Sequence, residues 1–334
     1  KVVSFSGHMR PQKESAALNI EVPKDRKVNE TSLEVRYSPT LAGAMVDALP
    51  YLVDYPYGCT EQTLNRFLPT VITQKILMDM KLDLKDIEKK RTNLNAQEIG
   101  NDKERAKNWK IYKQSKAWSQ NPVFSKARVQ DMVKQGVKRL TNMQLSDGGW
   151  GWFSGWGERS YPHTTAYVVH GLQVARTNDV AVVPGIIKRG VSWLGAFQAR
   201  QVQMLQNAPS KTRPYKTSAS NLDAFVFMVL TDAGVKNQAM LDFLYRDKNN
   251  LSVYAKAMFG MALHSLGEKE KLTMIIKNIE QFLVMDKENQ TAYLKLQNGG
   301  YWWYWYGSEY EAHGYYLKLL ARTNPKSDKA SWLV

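Results

Sequence analysis

Gly136-Val137-Lys138-Arg139-Leu140 and Gly190-Val191-Ser192-Trp193-Leu194 share one amphipathic pattern, and each leads through a glutamine into a loop. Richly apolar segments follow them: Thr165-Ala166-Tyr167-Val168-Val169, then Asp223-Ala224-Phe225-Val226-Phe227, then Ala257-Met258-Phe259-Gly260-Met261. Ala312-His313-Gly314-Tyr315-Tyr316-Leu317 is a fourth of this kind. An amphipathic helix buries one stripe, whereas a helix that is apolar all round is buried on every side. Alternating the two from about Val129 onward predicts helical hairpins. A mainly α fold, an α/α toroid with the apolar helices inside, suits this pattern better than an open solenoid, because no polar capping repeat is visible. The loops Asp147-Gly148-Gly149-Trp150-Gly151-Trp152 and Asn298-Gly299-Gly300-Tyr301-Trp302-Trp303 join outer to inner helices. Glycine supplies their turn geometry and the rings cover helix ends.

Upstream the pattern changes. Ala17-Leu18-Asn19-Ile20-Glu21-Val22 and Ser32-Leu33-Glu34-Val35-Arg36-Tyr37 alternate apolar and polar residues, which predicts two strands. Ser38-Pro39 ends that pattern. Leu41 to Leu52 reads as a helix, Pro56-Tyr57-Gly58 as a turn, and Thr63 to Leu68 as a second helix. The polar stretch 93–121 reads as a solvent-facing excursion. The boundaries are therefore a β segment at 1–38 and a helical domain at 39–334.

With 334 residues, 43% of them hydrophobic, the chain can bury a substantial core in one or two domains. No apolar run approaches bilayer length, and nothing near Lys1 resembles a signal peptide. The chain starts without Met and stops mid-pattern at Trp332-Leu333-Val334, as expected of a piece of something longer. The formal charge is +15, and residues 81–139 hold 16 Lys/Arg against 7 Asp/Glu, more than half of the excess. Signs mix within that stretch, at Lys85-Asp86 and Lys103-Glu104-Arg105, and no nucleic-acid motif accompanies it. A solvated helical face is expected there, and no nucleic-acid partner. His8, His264 and His313 show no ligand spacing, so neither a metal nor any other cofactor is expected.

One cysteine, Cys59, stands in Tyr55-Pro56-Tyr57-Gly58-Cys59-Thr60-Glu61-Gln62. A lone cysteine has no intramolecular disulfide partner, so it is packing or chemistry. Positions i and i+3 share one face of a helical turn, so the Cys59 sulfur can reach the Gln62 carbonyl. Helix N-termini favour nucleophilic thiolates. Attack on the amide with loss of ammonia leaves a thioester, and an incoming amine or hydroxyl then takes the Gln62 acyl group and frees the thiol. Glu61 reads either as a proton handler or as a structural anchor, and Gly58 permits a tight approach. Tyr55 and Tyr57, with Trp150, Trp152 or Trp156, are candidates for an aromatic cover that keeps water out.

Gly58-Cys59-x-Glu61-Gln62 resembles the signature of the thioester proteins, the α2-macroglobulin and complement family. Pro39-Thr40-Leu41 and the stretch from Tyr51 to Gln62 are similar to bacterial α2-macroglobulins, and the repeats resemble the family's helical thioester domain. The resemblance implies that 39–334 is that domain, and that 1–38 belongs to the β-domain into which it is inserted. It implies a broad-spectrum endopeptidase inhibitor, not an enzyme, whose Cys59–Gln62 thioester acylates lysine amines of an attacking protease in a single turnover. Neighbouring β-domains would pack on the Cys59 turn and complete its shield. Export, to a periplasm or cell envelope, is implied in the same way. Complement relatives place a histidine, and α2-macroglobulins an asparagine, at a position matched here within Ser218 to Asp223 by Asn221, which implies a preference for amines. His163 and His170, flanking the apolar Thr164 to Val169 segment, are alternatives for that role. Two other readings stand beside this one. Gln144-Leu145-Ser146-Asp147-Gly148-Gly149-Trp150 resembles terpene-cyclase repeats, though no Asp-x-Asp-Asp acid is present, and a binding-only relative would leave the thioester unformed.

Overall fold

The computed structural model describes residues 21–22, 24–31, 45–46, 49–50, 52–53, 58–90, 121–155, 157–288, 290–296 and 309–333. The chain divides into two compact units, one of Ser38–Asp247 and one of Lys1–Tyr37 with Lys248–Val334. The predicted strands near the start, apart from Glu21 and Val22, fall outside the described residues, as do most of the polar excursion and the Asn298–Trp303 loop.

In the first unit, α1 (Thr60–Asp79) is followed by the short α2 (Leu84–Lys90) and by α3 (Lys126–Met143). Then come α4 (Pro162–Thr177), α5 (Pro184–Gln206), α6 (Asn221–Asp232) and α7 (Gln238–Arg246). α1 packs on α3 and α4, α4 on α5 and α6, and α7 on α5 and α6. The expected alternation is present: α3 buries only Val129, Val137, Leu140 and Met143, whereas α6 is buried from Asp223 through Thr231. α1 begins three residues earlier than its sequence pattern predicts and runs through Pro69 to Asp79. Phe67, Thr70 and Val71 are buried on both sides of that proline, so packing outweighs the one hydrogen bond it removes. Of the helix expected at 41–52, residues 45–46, 49–50 and 52 are helical, and Val46 and Leu49 join Leu77 and Val123 in a small buried cluster.

Two glycines set how closely α1 is held. A Cβ on Gly171 of α4 would lie 2.1 Å from a Leu64 methyl, and one on Gly136 of α3 would lie 2.3 Å from the Phe67 ring. Leu64 and Phe67 are each 1% exposed, so α1 is wedged by two large side chains seated on bare backbone. This wedge fixes the helix whose first turn carries Cys59.

The second unit holds α8 (Val253–Leu266), α9 (Lys269–Glu280), α10 (Glu309–Thr323) and α11 (Asp328–Trp332). α8 packs on α9 and α10, and is buried from Val253 to Leu263. It also buries Lys256, whose ammonium lies 5.8 Å from the Phe282 ring and whose pKa burial lowers. Tyr316 of α10 is fully buried; burial and the neighbouring Glu280 carboxylate raise its pKa. α10 departs from the all-apolar pattern, burying Ala312, Tyr316, Leu319 and Leu320 while Gly314 is exposed. One hairpin escapes the helical reading: β1 (Leu283–Asp286) pairs antiparallel with β2 (Thr291–Leu294), Leu283 opposite Leu294. Four residues per strand are too few for a period-2 signal to stand out. His313 ties β2 to α10, its Nε2 accepting from the Leu294 N–H at 2.8 Å while Nδ1 lies 2.7 Å from the Glu309 carbonyl oxygen. The fold is mainly α with this single short sheet among the described residues.

Candidate functional site

Cys59 is the N-cap of α1, and with Gln62 it forms a capping box. The Gln62 N–H donates to the Cys59 sulfur at 3.5 Å, and the Cys59 N–H donates to the Gln62 Oε1 at 3.3 Å. A capping box normally joins a hydroxyl to a carboxylate or amide. Here the cap atom is a thiol sulfur and the returning group is an amide, so a nucleophile and an acyl carbon share one helical turn. The N–H on Oε1 also sits where negative charge grows when the amide carbon is attacked. Cys59 is half-buried, while Thr60 within the box and Thr63 just after it are buried.

Thr60 anchors this turn to the Trp150 loop. Its hydroxyl donates to the Gly151 carbonyl at 2.7 Å and the Trp152 carbonyl at 3.2 Å, and its N–H donates to the Trp152 carbonyl at 3.0 Å. The first N–H groups of a helix lack partners within the helix, and Thr60's is satisfied by this loop. The loop is itself well fixed. The Trp150 indole is fully buried and donates from Nε1 to the Leu140 carbonyl at 2.9 Å, so it plugs the end of α3. Asp147 accepts from Gly149 N at 3.1 Å, Ser160 Oγ at 2.6 Å and Trp193 Nε1 at 2.8 Å. Burial pushes its pKa up, but these donors together hold it below the usual carboxylate range. Gln144 Nε2 donates to the Gly148 and Ile186 carbonyls, so the segment similar to cyclase repeats acts as a loop clamp. Of the aromatic residues proposed as a cover, Trp150 is core and Trp152, half-buried, reaches Thr60 through its backbone. Tyr55, Tyr57 and Trp156 lie outside the described residues.

Arg139 of α3 completes the turn. Its Nη2 donates to the Gly58 carbonyl at 2.9 Å, and a Cβ on Gly58 would lie 2.2 Å from the same nitrogen. Glycine therefore leaves room for the guanidinium. Glu61 is exposed and accepts from Asn65 Nδ2 at 3.4 Å, and Asn65 Oδ1 accepts from Tyr167 Oη at 2.7 Å. Sequence reasoning passed over Thr60, Arg139 and Asn65. A threonine at the variable motif position is the only local sign of the first, and the others depend on which helices meet.

Asn221 is the first residue of α6, directly after its N-cap Ser220, and is half-buried. Ser220 and Asp223 form a second capping box. Asp223, 1% exposed, accepts from Ser220 N at 2.7 Å, from Ser220 Oγ at 2.8 Å and from the Lys216 ammonium. His163 lies between the two helices, its ring stacked 6.5 Å from Tyr167 of α4 and tilted 5.6 Å from Phe225 of α6. Burial lowers its pKa to about 4, so it is a neutral packed ring at ordinary pH. His170 approaches the same Phe225 edge-on at 6.4 Å. Among the described residues no cluster of His, Cys, Asp or Glu could hold a metal ion, and no helix is long and apolar enough to cross a membrane.

The family model described as the A-macroglobulin TED domain matches residues 106–302, more than half of the chain and all of it downstream of the Cys59 turn. The alpha-2-macroglobulin of Thermotoga maritima is 23% identical over 268 residues, covering 77% of this chain and 14% of that protein. Native alpha-2-macroglobulin from Escherichia coli, solved from domain MG7 to the C-terminus, is 20% identical with a TM-score of 0.51, covering 86% of this chain and 37% of that one. Salmonella alpha-2-macroglobulin reacted with methylamine is 20% identical with a TM-score of 0.54, covering 86% of this chain and 15% of that one. At these identities the structural likeness is one of fold. The chain spans a small part of the length of each of these larger proteins.

Proposed function

The chain belongs to the A-macroglobulin TED domain family, and on that premise we propose that Cys59 and Gln62 form an internal thioester that captures proteins covalently. The observation that carries this reading is the capping box, which holds a thiol and an amide carbonyl on one helical turn, each bonded to the other residue's backbone N–H. The sulfur attacks the Gln62 amide carbon, the C–N bond breaks, and ammonia leaves with the thiol proton. Later an amine nitrogen attacks the same carbon, the C–S bond breaks, and the thiol is restored. The chain is consumed once per event, as an inhibitor is and an enzyme is not.

The captured partner in this reading is an attacking protease, bonded through a lysine amine, with Asn221 favouring amines over hydroxyls. Residues 39–334 act as the thioester domain and 1–38 belong to a neighbouring β-domain that covers the turn until it is triggered. Export to the periplasm or cell envelope suits such a trap.

Intact mass before and after methylamine, with thiol titration of Cys59, tests the proposal. A mass one ammonia below the sequence, with a thiol appearing on methylamine addition, supports it. A mass equal to the sequence with a free thiol from the start contradicts it, whereas Glu at position 62 marks a bond formed and then hydrolysed.

A further inference from the structure

α3 carries Lys126, Arg128, Lys134, Lys138 and Arg139 against a single acid, Asp131, which accepts from Gln135 Nε2 at 2.7 Å. Lys134, Lys138 and Arg139 are exposed, and among the described residues none of the three pairs with a carboxylate. Lys134 and Lys138 stand one helical turn apart on one stripe. Beside them lies an open groove of about 410 Å³ lined by Gln135, Lys138, Arg139, Asn142, Met143 and Ser154. The Arg139 guanidinium also donates to the Gly58 carbonyl, so one residue of the groove's lining touches the residue before Cys59.

We propose that this basic face docks an acidic segment of the captured protein, so that the thioester selects lysines flanked by Asp or Glu. The inference rests on the thioester reading and adds its substrate preference. Two physical effects act together. Cations beside the turn repel an isolated lysine ammonium, and acidic flanks offset that repulsion and steer the encounter. Once docked, the lysine attacks as its neutral amine. Its nitrogen bonds to the Gln62 acyl carbon, the C–S pair goes to the Cys59 sulfur, and the amine's proton passes through water to the thiolate.

The test uses acetylated peptides with one lysine set among glutamates or among glutamines. Thiol release from this chain is followed, and each rate is divided by that for methylamine on the same protein. At about 20 mM salt the glutamate peptide is expected to react about ten-fold faster than the glutamine peptide, and the advantage should vanish near 1 M salt. Lys134→Glu with Lys138→Glu should abolish or invert it. Equal rates for the two peptides overturn the proposal, as does a preference that survives the double substitution. Duplex DNA bound more tightly than the glutamate peptide, and lost in that variant, overturns it in favour of a nucleic-acid surface. No thiol release with methylamine at all strikes the thioester reading itself and not this preference.

Discussion

Two helices of one unit start with the same local device and use it for different ends. α1 begins with Cys59 and Gln62, α6 with Ser220 and Asp223, and both pairs form reciprocal capping boxes three residues apart. In the second box a buried carboxylate gathers the Ser220 N–H at 2.7 Å, the Ser220 hydroxyl at 2.8 Å and Lys216, while the Asp223 N–H donates back to the Ser220 hydroxyl at 3.4 Å. In the first the contacts are 3.3 and 3.5 Å and neither side chain carries a charge partner. A hydroxyl with a carboxylate makes a strong cap with nowhere to react. A thiol with an amide makes a weak cap whose two members can bond. The difference teaches that geometry offers the i, i+3 meeting and the atoms decide whether it is a lock or a trap.

Exchanging the atoms breaks the comparison most sharply. Cys59→Ser turns the first box toward the chemistry of the second. It should abolish the ammonia-deficient mass and every methylamine-dependent thiol, while stability to urea changes by no more than about 1 kcal/mol, since serine caps well. Destroying the lock instead has the opposite profile. Asp223→Ala takes the carboxylate from Lys216, which keeps Gln201, and leaves the Ser220 donors without their acceptor, so urea denaturation should show a loss of about 2 kcal/mol. If it costs nothing, the second box is not a lock.

The ring between the two boxes sharpens the contrast through pH. His163 touches Tyr167, which bonds Asn65 of α1, and Phe225 of α6. Its pKa falls from 6.5 to about 4 on folding, so between those values the unfolded chain binds a proton that the folded chain refuses. Stability should therefore fall as pH drops from 6.5 to about 4, by up to about 3 kcal/mol, with no contribution from this group above that window. Urea titrations of wild type and His163→Gln across the window check it: the substituted protein should show a shallower slope. The smallest effect is expected at the tether. Thr60→Val keeps the branched shape but loses the hydroxyl's bonds to Gly151 and Trp152, costing about 1 kcal/mol. Iodoacetamide should then alkylate methylamine-opened Cys59 faster than in wild type, and Thr60→Ser should restore the wild-type rate.

Much of this was legible from sequence because it depends on neighbours along the chain. The Cys59–Gln62 spacing needs only a helical turn, and the burial of Asp223 through Thr231 follows from a run of apolar residues too broad for a one-sided helix. Other features were illegible for definite reasons. The β1–β2 hairpin is too short to show alternation, and Pro69 marks a break that burial of Phe67 and Val71 overrides. Trp150 and Trp152, alike in sequence, part company in space: one is sealed in the core, the other lends its carbonyl to Thr60.

By itself, then, the sequence determined the meeting of Cys59 and Gln62 across one helical turn, the mainly helical class and the alternation of one-sided and fully buried helices, since each is set by spacing within a helix. The tertiary structure alone decided what surrounds Cys59. Arg139 is eighty-one residues from Gly58 and the Trp152 carbonyl ninety-two from Thr60. Such contacts depend on where glycine-seated side chains let helices meet, and no local pattern encodes that distance.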